Sequence, residues 1–189
     1  IDEIATLVEP HIAVVGKIGE QHIEYFKTLE NIRNTKMEMI HSSRLEKAFV
    51  HESAQVREND KIKIFGEDLS HIESTLDGIS FDMELNGSFE HFTCKLLGDF
   101  NAINIAAAIH VALTLGMDME AIKRAVFNLK GVDHRLQRME AGGKIIIDDS
   151  FNGNFDGMMS SYALASTYDG RKVIITPGIV ESSESANIA

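Results

Sequence analysis

The sequence predicts an α/β fold in which a sheet is joined to a small antiparallel patch. The first observation is a short, β-branched apolar run at residues 12–15, which is followed by a glycine turn and a helical pattern. The second is a pair of alternating apolar runs on either side of Asn86-Gly87, the strongest short-range signal for a hairpin. The third is a strand, helix, strand order over residues 144–176, which is typical of a parallel α/β unit.

Length and composition limit the classes of protein to consider. The 189 residues are enough for one large domain or a domain and a half, and a start at Ile1 rather than Met suggests a fragment. The net charge of -11 argues against nucleic acid as a partner, since phosphate-binding proteins usually present a basic face. No apolar run approaches the roughly 20 residues that span a bilayer, so no membrane insertion is expected. With one cysteine, Cys94, and no signal peptide, we expect a cytoplasmic protein in which Cys94 is an inert strand residue.

In the N-terminal region the sequence predicts a helix, a strand, a polar turn and a second helix. A helical pattern over residues 1–9 precedes the strand at residues 12–15, which ends at Gly16. Thr28 is the predicted N-cap of the next helix, and the apolar face of that helix also carries Lys36. A lysine in this position is unusual, because burying an ammonium group costs free energy unless something compensates it.

In the rest of the chain the sequence predicts short strands, two helices and a second α/β unit. Strands are expected at residues 49–50, 62–65 and 69–74 and in a hairpin at residues 79–85 and 89–96. Helices are expected at residues 101–115, before Gly116, and from an N-cap at Asp118 to about residue 129. A domain boundary is placed near residues 130–134. Beyond it we expect a strand at residues 144–147, a helix at 156–167 and a buried strand at 172–176.

Two candidate sites lie in the first part of the chain, and each has a plain structural alternative. Glu20 and His22 follow a buried strand, where open α/β sheets bind ligands, and with Lys36 they could touch a divalent cation; the alternative is a solvated loop. Asn101, with Asn104 one turn later, carries an amide that suits the edge of a purine. The alternative there is an N-cap at Asn101.

Two further candidates lie near the predicted boundary and beyond it. Residues 148–154, DDSFNGN, end a strand with carboxylates, a hydroxyl and amides that can bind sugar hydroxyls, an amine or a metal. The same composition is also typical of a turn. Arg135, beside His134, could clamp phosphates between domains, or it could be an ordinary surface charge.

The loop that usually holds nucleoside triphosphates is missing from the sequence. No segment fits G-x-x-x-x-G-K-[ST], whose backbone amides bind the phosphates of ATP. The pairs Gly16-Lys17 and Gly143-Lys144 are followed by isoleucine and lack a glycine at the required distance. The chain alone is therefore expected to lack a complete triphosphate site and to be inactive by itself.

Taken together and in this order, the motifs resemble the Mur ligase family, the ATP-dependent amide-forming enzymes of peptidoglycan assembly. IGEQHIEYF and TKMEM are similar to the family segments I-G-E-A-H-L-E-Y-F and A-K-x-E-I. LLGDFNAINIAAA is similar to G-R-H-N-x-x-N-x-x-A-A, VDHRLQ to G-R-[LM], and IIIDDSFNGNFDGM to I-D-D-S-Y-N-A-N-P-D-S-M. His134 stands where the family has glycine, and Phe151 where it has tyrosine.

The resemblance implies two cofactors, ATP and Mg²⁺, and a role for each matching residue. His22 would contact the magnesium ion, and Lys36 would be carbamylated, giving anionic oxygens that a hard cation prefers. Arg135 would reach the nucleotide phosphates, so that Lys36, His22 and Arg135 form the catalytic set. Asn101 would face adenine and Asp149 the ribose. Three residues would line the side where the amine substrate enters: Ser150, Asn152 and Asn154.

The resemblance also implies a domain arrangement and a reaction. Residues 1–130 would be the later part of the central ATP-binding domain, and residues 131–189 the start of a Rossmann-like C-terminal domain. The family members that match best use ATP to phosphorylate the carboxylate of UDP-MurNAc-tripeptide. D-alanyl-D-alanine then attacks the acyl phosphate, in a step of cell wall biogenesis that supports cell shape and cell division. Two alternatives stay open: another Mur-type or folylpolyglutamate ligase, and a non-catalytic fragment that binds a nucleotide or a protein partner.

Overall fold

Within the residues that the structure describes, the strands form three separate sheets. The computed structural model describes residues 1–20, 22–151 and 155–178. The helices are α1 (Asp2–Val8), α2 (Ile23–Phe26), α3 (Leu29–Met37), α4 (Phe100–Thr114), α5 (Met119–Phe127) and α6 (Phe155–Ser166). The strands are β1 (Ile12–Val15), β2 (Lys47–His51), β3 (Ile62–Phe65), β4 (Leu69–Thr75), β5 (Gly78–Leu85), β6 (Ser88–Cys94), β7 (Gln137–Ala141) and β8 (Lys144–Asp148). Short 3₁₀ turns occupy Glu38–His41 and Glu52–Ala54.

The first sheet is parallel, with β2 between β1 and β3. Ala48, Phe49 and Val50 of β2 are buried, as expected for a central strand that is covered on both faces. The helix predicted to begin after Thr28 does so, because the Thr28 hydroxyl oxygen accepts a hydrogen bond from the backbone N–H of Asn31 at 3.1 Å. The predicted α/β class is confirmed, and the carboxyl ends of three parallel strands meet at one edge.

The second sheet is antiparallel, in the order β4-β5-β6, and contains the predicted hairpin. Asn86 and Gly87 have φ values of 53° and 79°, the positive pair that a tight two-residue hairpin turn requires. Alternate residues of β5 face inward, so that Phe81 and Met83 are fully buried and Phe81 stacks on Phe92 at 5.4 Å between ring centroids. Helix α4 packs on this sheet and completes the main core.

Helix α4 begins earlier than one interpretation of the sequence proposed. Its N-cap is Asp99, whose carboxylate accepts a hydrogen bond from the backbone N–H of Phe100 at 2.9 Å. The alternative of an N-cap at Asn101 is therefore wrong, and the Asn101 side chain lies inside the first turn. The predicted cap of α5 is confirmed, since the Asp118 carboxylate accepts from the backbone N–H of Ala121 at 2.9 Å.

The third sheet is the antiparallel pair of β7 and β8. A strand at residues 144–147 was expected, but its partner β7 was not. The turn between them is Gly142-Gly143, with φ values of 57° and 70°, so the hairpin has the local signal that glycine pairs provide. In the described residues β8 thus belongs to a hairpin, where the sequence pattern suggested a parallel unit.

The strand predicted at residues 172–176 is wrong. The segment is not assigned to a strand, and Val173, Ile174 and Ile175 are 71%, 58% and 94% exposed. β-branched residues favour a strand only when a neighbouring strand supplies backbone partners, and no strand in the described ranges pairs with this segment. The helix expected before it is present as α6.

Residues from both sides of the predicted boundary pack together. Leu97, Leu136 and Leu164 form a small buried cluster, and the Ser160 hydroxyl donates a hydrogen bond to Asp99 Oδ1 at 2.6 Å. These contacts fix the linker after α5 and helix α6 against the segment that leads into α4. Within the described residues, none of the helices has the length and apolar character needed to cross a bilayer.

The hairpin core offers a stability test with an internal control. Replacing Phe81, which is 0% exposed, with alanine should lower the free energy of unfolding by about 3–5 kcal/mol, because a cavity opens in a packed core. The matched change at Phe89, which is 67% exposed on the next strand, should stay within about 0.5 kcal/mol. Urea denaturation of both variants measures the difference, and equal losses would contradict the packing described here.

Candidate functional site

The turn that follows β1 is tied to helix α3 by Lys36. The Lys36 ammonium donates a hydrogen bond to the backbone carbonyl of Lys17 at 3.1 Å. The residue is only partly exposed, and burial lowers the pKa of its amine. A lowered pKa increases the neutral fraction of the amine, the form that acts as a nucleophile. The sequence prediction of a lysine in an unusual environment is thus supported by its contacts.

His22 lies on the same turn and begins the short helix α2. Its backbone is left-handed, with φ of 61°, and its carbonyl oxygen accepts hydrogen bonds from the N–H groups of Tyr25 and Phe26 at 2.9 and 3.1 Å. His22 is exposed, as is Glu20 before it, while Gln21 lies outside the described residues. Residues of this turn therefore lie at the carboxyl edge of the parallel sheet, where the sequence placed them.

The residues of this turn fit a magnesium ion only with additional ligands. In the part of the chain that the structure describes, no group of three His, Cys, Asp or Glu side chains could hold a metal ion. Mg²⁺ usually retains several waters and takes further oxygen ligands from carboxylates and nucleotide phosphates. A carbamate on the half-buried Lys36 would add such oxygens. The donor set of imidazole, carbamate and phosphate is compatible with the ion that the resemblance implies.

The Asn101 amide is held at the first turn of α4. Its Nδ2 donates to the backbone carbonyl of Leu97 at 2.7 Å. The Asn104 amide donates to Asn101 Oδ1 at 3.5 Å, the limit of hydrogen-bond distance. An amide oxygen has two lone pairs, so Asn101 Oδ1 retains the capacity to accept from an exocyclic amine of a base.

The linker that carries His134 is joined to the end of β8. His134 has a φ of 63°, a conformation that glycine adopts most easily, and its Nδ1 lies 2.8 Å from Asp148 Oδ2. The backbone N–H of Phe151 donates to the His134 carbonyl at 3.1 Å. The hydrogen bond to Asp148, and then its charge, raise the pKa of His134. Hydrogen bonds from Ser150 and His134 hold the pKa of Asp148 below its usual value.

Arg135 rests on an aromatic ring. Its guanidinium carbon lies 4.4 Å from the centroid of the Phe151 ring, a cation–π contact between two exposed side chains. Among residues 1–20, 22–151 and 155–178, no carboxylate forms an ion pair with it. Arg135 is therefore oriented by the residue at the end of the DDSF segment, and its donors remain available to an anion.

Asp149 connects the linker to helix α6. Its Oδ1 accepts from the backbone N–H of Leu136 at 3.1 Å, and its Oδ2 accepts from the Ser161 hydroxyl at 2.9 Å. Ser150 is exposed and its backbone N–H donates to Asp148 Oδ1 at 3.0 Å. The structure thus brings Arg135, Asp149 and Ser150 together around the linker. The other two predicted substrate residues, Asn152 and Asn154, lie outside the described residues.

Two residues near the turn that follows β1 were not predicted from the sequence. His51, the last residue of β2, is buried, and its Nδ1 accepts from the backbone N–H of Ser53 at 3.1 Å. The Ser53 hydroxyl oxygen accepts from the backbone N–H of Ile18 at 2.8 Å. Polar residues immediately after a buried strand were the available signal, the same one that drew attention to His22.

Comparison with known proteins relates the chain to ligases of peptidoglycan precursors. Residues 2–112 match the Mur ligase middle domain. UDP-N-acetylmuramate--L-alanine ligase of Syntrophomonas wolfei is 28% identical, over 89% of this chain and 40% of its own. UDP-N-acetylmuramoyl-tripeptide--D-alanyl-D-alanine ligase of Borreliella burgdorferi is 26% identical, over 98% of this chain and 43% of its own. A crystal structure of MurF from Acinetobacter baumannii superposes with a TM-score of 0.87 at 26% identity, covering 98% of this chain and 44% of that one.

The chain spans less than half of the length of these relatives, 40% and 43% of the two curated ones. The middle-domain match nevertheless covers more than half of the 189 residues. The parallel sheet, the antiparallel patch and the overall fold agree with those of MurF. On this basis the chain belongs to the Mur ligase family.

Proposed function

We propose that this chain carries the metal and adenosine side of an ATP-dependent amide ligase of peptidoglycan precursor synthesis. The whole protein would add D-alanyl-D-alanine to UDP-MurNAc-tripeptide in the cytoplasm. The observation that carries the proposal is the half-buried Lys36, whose nitrogen contacts the turn of His22 at the carboxyl edge of the parallel sheet. The match to the Mur ligase middle domain, a family of ATP-dependent ligases, supports the same assignment.

The proposed reaction forms an amide through an acyl phosphate. The terminal carboxylate of the UDP-sugar peptide attacks the γ-phosphorus of ATP and releases ADP. The amine of D-alanyl-D-alanine then attacks the acyl carbon and releases phosphate. A magnesium ion would offset the charge on the phosphate oxygens. His22 and the carbamate of Lys36 would hold that ion, and Arg135 would bind the phosphates as a fork of N–H donors.

The nucleoside would lie between α4 and the linker. Asn101 keeps an amide oxygen for adenine, and Asp149 is held by Leu136 and Ser161 close to the linker. The Asp149 carboxylate already accepts two hydrogen bonds, but each oxygen retains a lone pair for a ribose hydroxyl. Ser150, Asn152 and Asn154 would line the side where the dipeptide enters. This assignment divides the chain into a central part, residues 1–130, and a C-terminal part, residues 131–189.

A second candidate keeps the chemistry and changes the substrates. The Syntrophomonas wolfei relative, which is 28% identical, is an L-alanine ligase, so the whole protein could instead add L-alanine to UDP-N-acetylmuramate. The full-length protein distinguishes the two when phosphate release is measured with each pair of substrates. Turnover with the tripeptide and D-alanyl-D-alanine supports the first candidate, and turnover only with L-alanine and UDP-N-acetylmuramate overturns it.

The linker contacts explain how Arg135 would be presented to phosphates. His134 and Asp148 form an ion pair when both are charged, and Phe151 binds the linker through its backbone N–H and its ring. The pair requires Asp148 to be ionised and His134 to be protonated. It is therefore a pH-dependent contact between the linker and the end of β8.

The proposed roles of Lys36 and His22 as metal ligands predict a loss of activity when Lys36 is removed and a weaker response to Mg²⁺ when His22 is removed. In the full-length protein, Lys36→Ala should reduce kcat by about 10²-fold or more, because a carbamate that holds the metal ion and so stabilises transition-state charge is removed. The control variant Lys130→Ala, which replaces an exposed lysine, should leave kcat close to that of the wild-type protein. His22→Ala should raise the Mg²⁺ concentration that gives half-maximal rate. Steady-state kinetics across a Mg²⁺ series measures both effects, and full activity in Lys36→Ala would refute the metal assignment.

The linker contact predicts a pH dependence of stability. The raised pKa of His134 means that its contribution is complete below about pH 6.5 and is lost as pH rises through the raised value. The lowered pKa of Asp148 means that its contribution is present above about pH 3.8 and is lost as pH falls through the lowered value. The Tm of the wild-type protein should therefore exceed that of His134→Gly by the largest amount between about pH 3.8 and about pH 6.5.

Glycine at position 134 keeps the backbone conformation accessible, so that the variant removes the imidazole without adding strain at φ of 63°. Thermal unfolding at several pH values gives the comparison. A difference in Tm that does not change between pH 5 and pH 9 would show that the ion pair makes no contribution.

A further inference from the structure

The peptide bond between Lys17 and Ile18 is held from both of its polar ends. Its carbonyl oxygen accepts from the Lys36 ammonium at 3.1 Å, and its N–H donates to the Ser53 hydroxyl oxygen at 2.8 Å. This peptide opens the turn that leads from β1 to His22. Because both groups belong to one rigid plane, the two hydrogen bonds together fix its position and its rotation.

The Ser53 hydroxyl is itself oriented by His51. His51 Nδ1 lies 2.9 Å from Ser53 Oγ and accepts the backbone N–H of Ser53 at 3.1 Å. The single lone pair of that nitrogen is shared by the backbone N–H and the hydroxyl of Ser53, so the hydroxyl donates its proton to His51 and keeps its lone pairs for Ile18. A continuous series of hydrogen bonds then runs from the Ile18 N–H through Ser53 to His51.

The imidazole of His51 is fixed in place by the core. The residue is 3% exposed and ends the central strand β2, and its ring meets the Phe65 ring edge-on at 5.3 Å between centroids. Gly66 lies so close that a Cβ there would approach His51 Nε2 to 2.9 Å. Burial also lowers the pKa of His51, which favours the neutral ring that the series of hydrogen bonds requires.

We propose that Ser53 and His51 are positioning residues that fix the peptide between Lys17 and Ile18, and through it the turn of His22 and the Lys36 nitrogen. The proposal rests on the proposed function of that turn as the metal side of the ATP site. A carbamate nitrogen retains one N–H, so the Lys17 carbonyl can accept from Lys36 before and after carbamylation. Ser53 and His51 would act on metal binding through the backbone, without contacting the ion.

The test uses three serine variants of the full-length protein. Ser53→Ala removes the hydroxyl, and Ser53→Thr keeps it. Ser43→Ala is the matched control, because the Ser43 hydroxyl donates to Glu9 at 2.8 Å, outside the turn. Amide hydrogen exchange at Ile18, measured by mass spectrometry, should be about 5-fold to 10-fold faster in Ser53→Ala, and close to the wild type in the other two variants.

The second measurement is metal affinity, which a purely structural contact would not change. Binding of Mn²⁺ with a non-hydrolysable ATP analogue, followed by electron paramagnetic resonance, should weaken about 10-fold in Ser53→Ala and be restored in Ser53→Thr. Faster exchange at Ile18 with unchanged Mn²⁺ affinity in Ser53→Ala would overturn the positioning role, as would unchanged exchange.

A His22→Ala variant separates this proposal from the proposed function. If Mn²⁺ affinity falls in His22→Ala but not in Ser53→Ala, the metal side is retained and the positioning role is overturned. If affinity is unchanged in His22→Ala, the proposed function of the turn fails, and the proposal fails with it. Loss of affinity in both variants, with rescue by Ser53→Thr, supports both.

Discussion

The central position of β2 is the constraint on which the rest of this structure depends. It pairs with β1 on one side and β3 on the other, both in parallel register, and its middle residues are buried. Parallel strands place their carboxyl ends at one edge, so the turn after β1 and the His51 segment after β2 must meet. The hydrogen bond from Ile18 to Ser53 is the contact that joins them. The Lys36 ammonium donates to the carbonyl of Lys17, and the peptide of that carbonyl is already held by Ser53. This contact gives Lys36 its uncommon environment.

The second part of the candidate site is built by the linker after α5. His134, Arg135 and Leu136 each contact a residue between positions 148 and 151, through an ion pair, a ring contact and a backbone hydrogen bond respectively. The positive φ of His134 turns the chain at a position where the Mur ligase family has glycine. The linker and the strand end are therefore one structural unit. Arg135 is oriented by this unit, and the proposed phosphate-binding role depends on it.

Local signals predicted most of the fold, and long-range contacts account for what was missed. Thr28 and Asp118 were recognised as caps, and Asn86-Gly87 as a turn, because each acts on residues only a few positions away. The N-cap of α4 was harder to locate, because Asp99 and Asn101 are both good caps and only the structure distinguishes them. The segment at 172–176 has strand composition, but a strand needs a neighbour that sequence patterns do not reveal. The contact between Ser53 and Ile18 was missed for a similar reason, since the two residues are 35 positions apart in the sequence.

The proposed role of Lys36 in holding the metal ion depends on a carbamate on its side-chain nitrogen. The most direct measurement is carbon-13 NMR of the full-length protein in labelled bicarbonate. We expect a carbamate signal that is absent from Lys36→Ala and retained in Lys130→Ala. Absence of this signal from fully active protein would contradict the role of Lys36 in holding the metal ion.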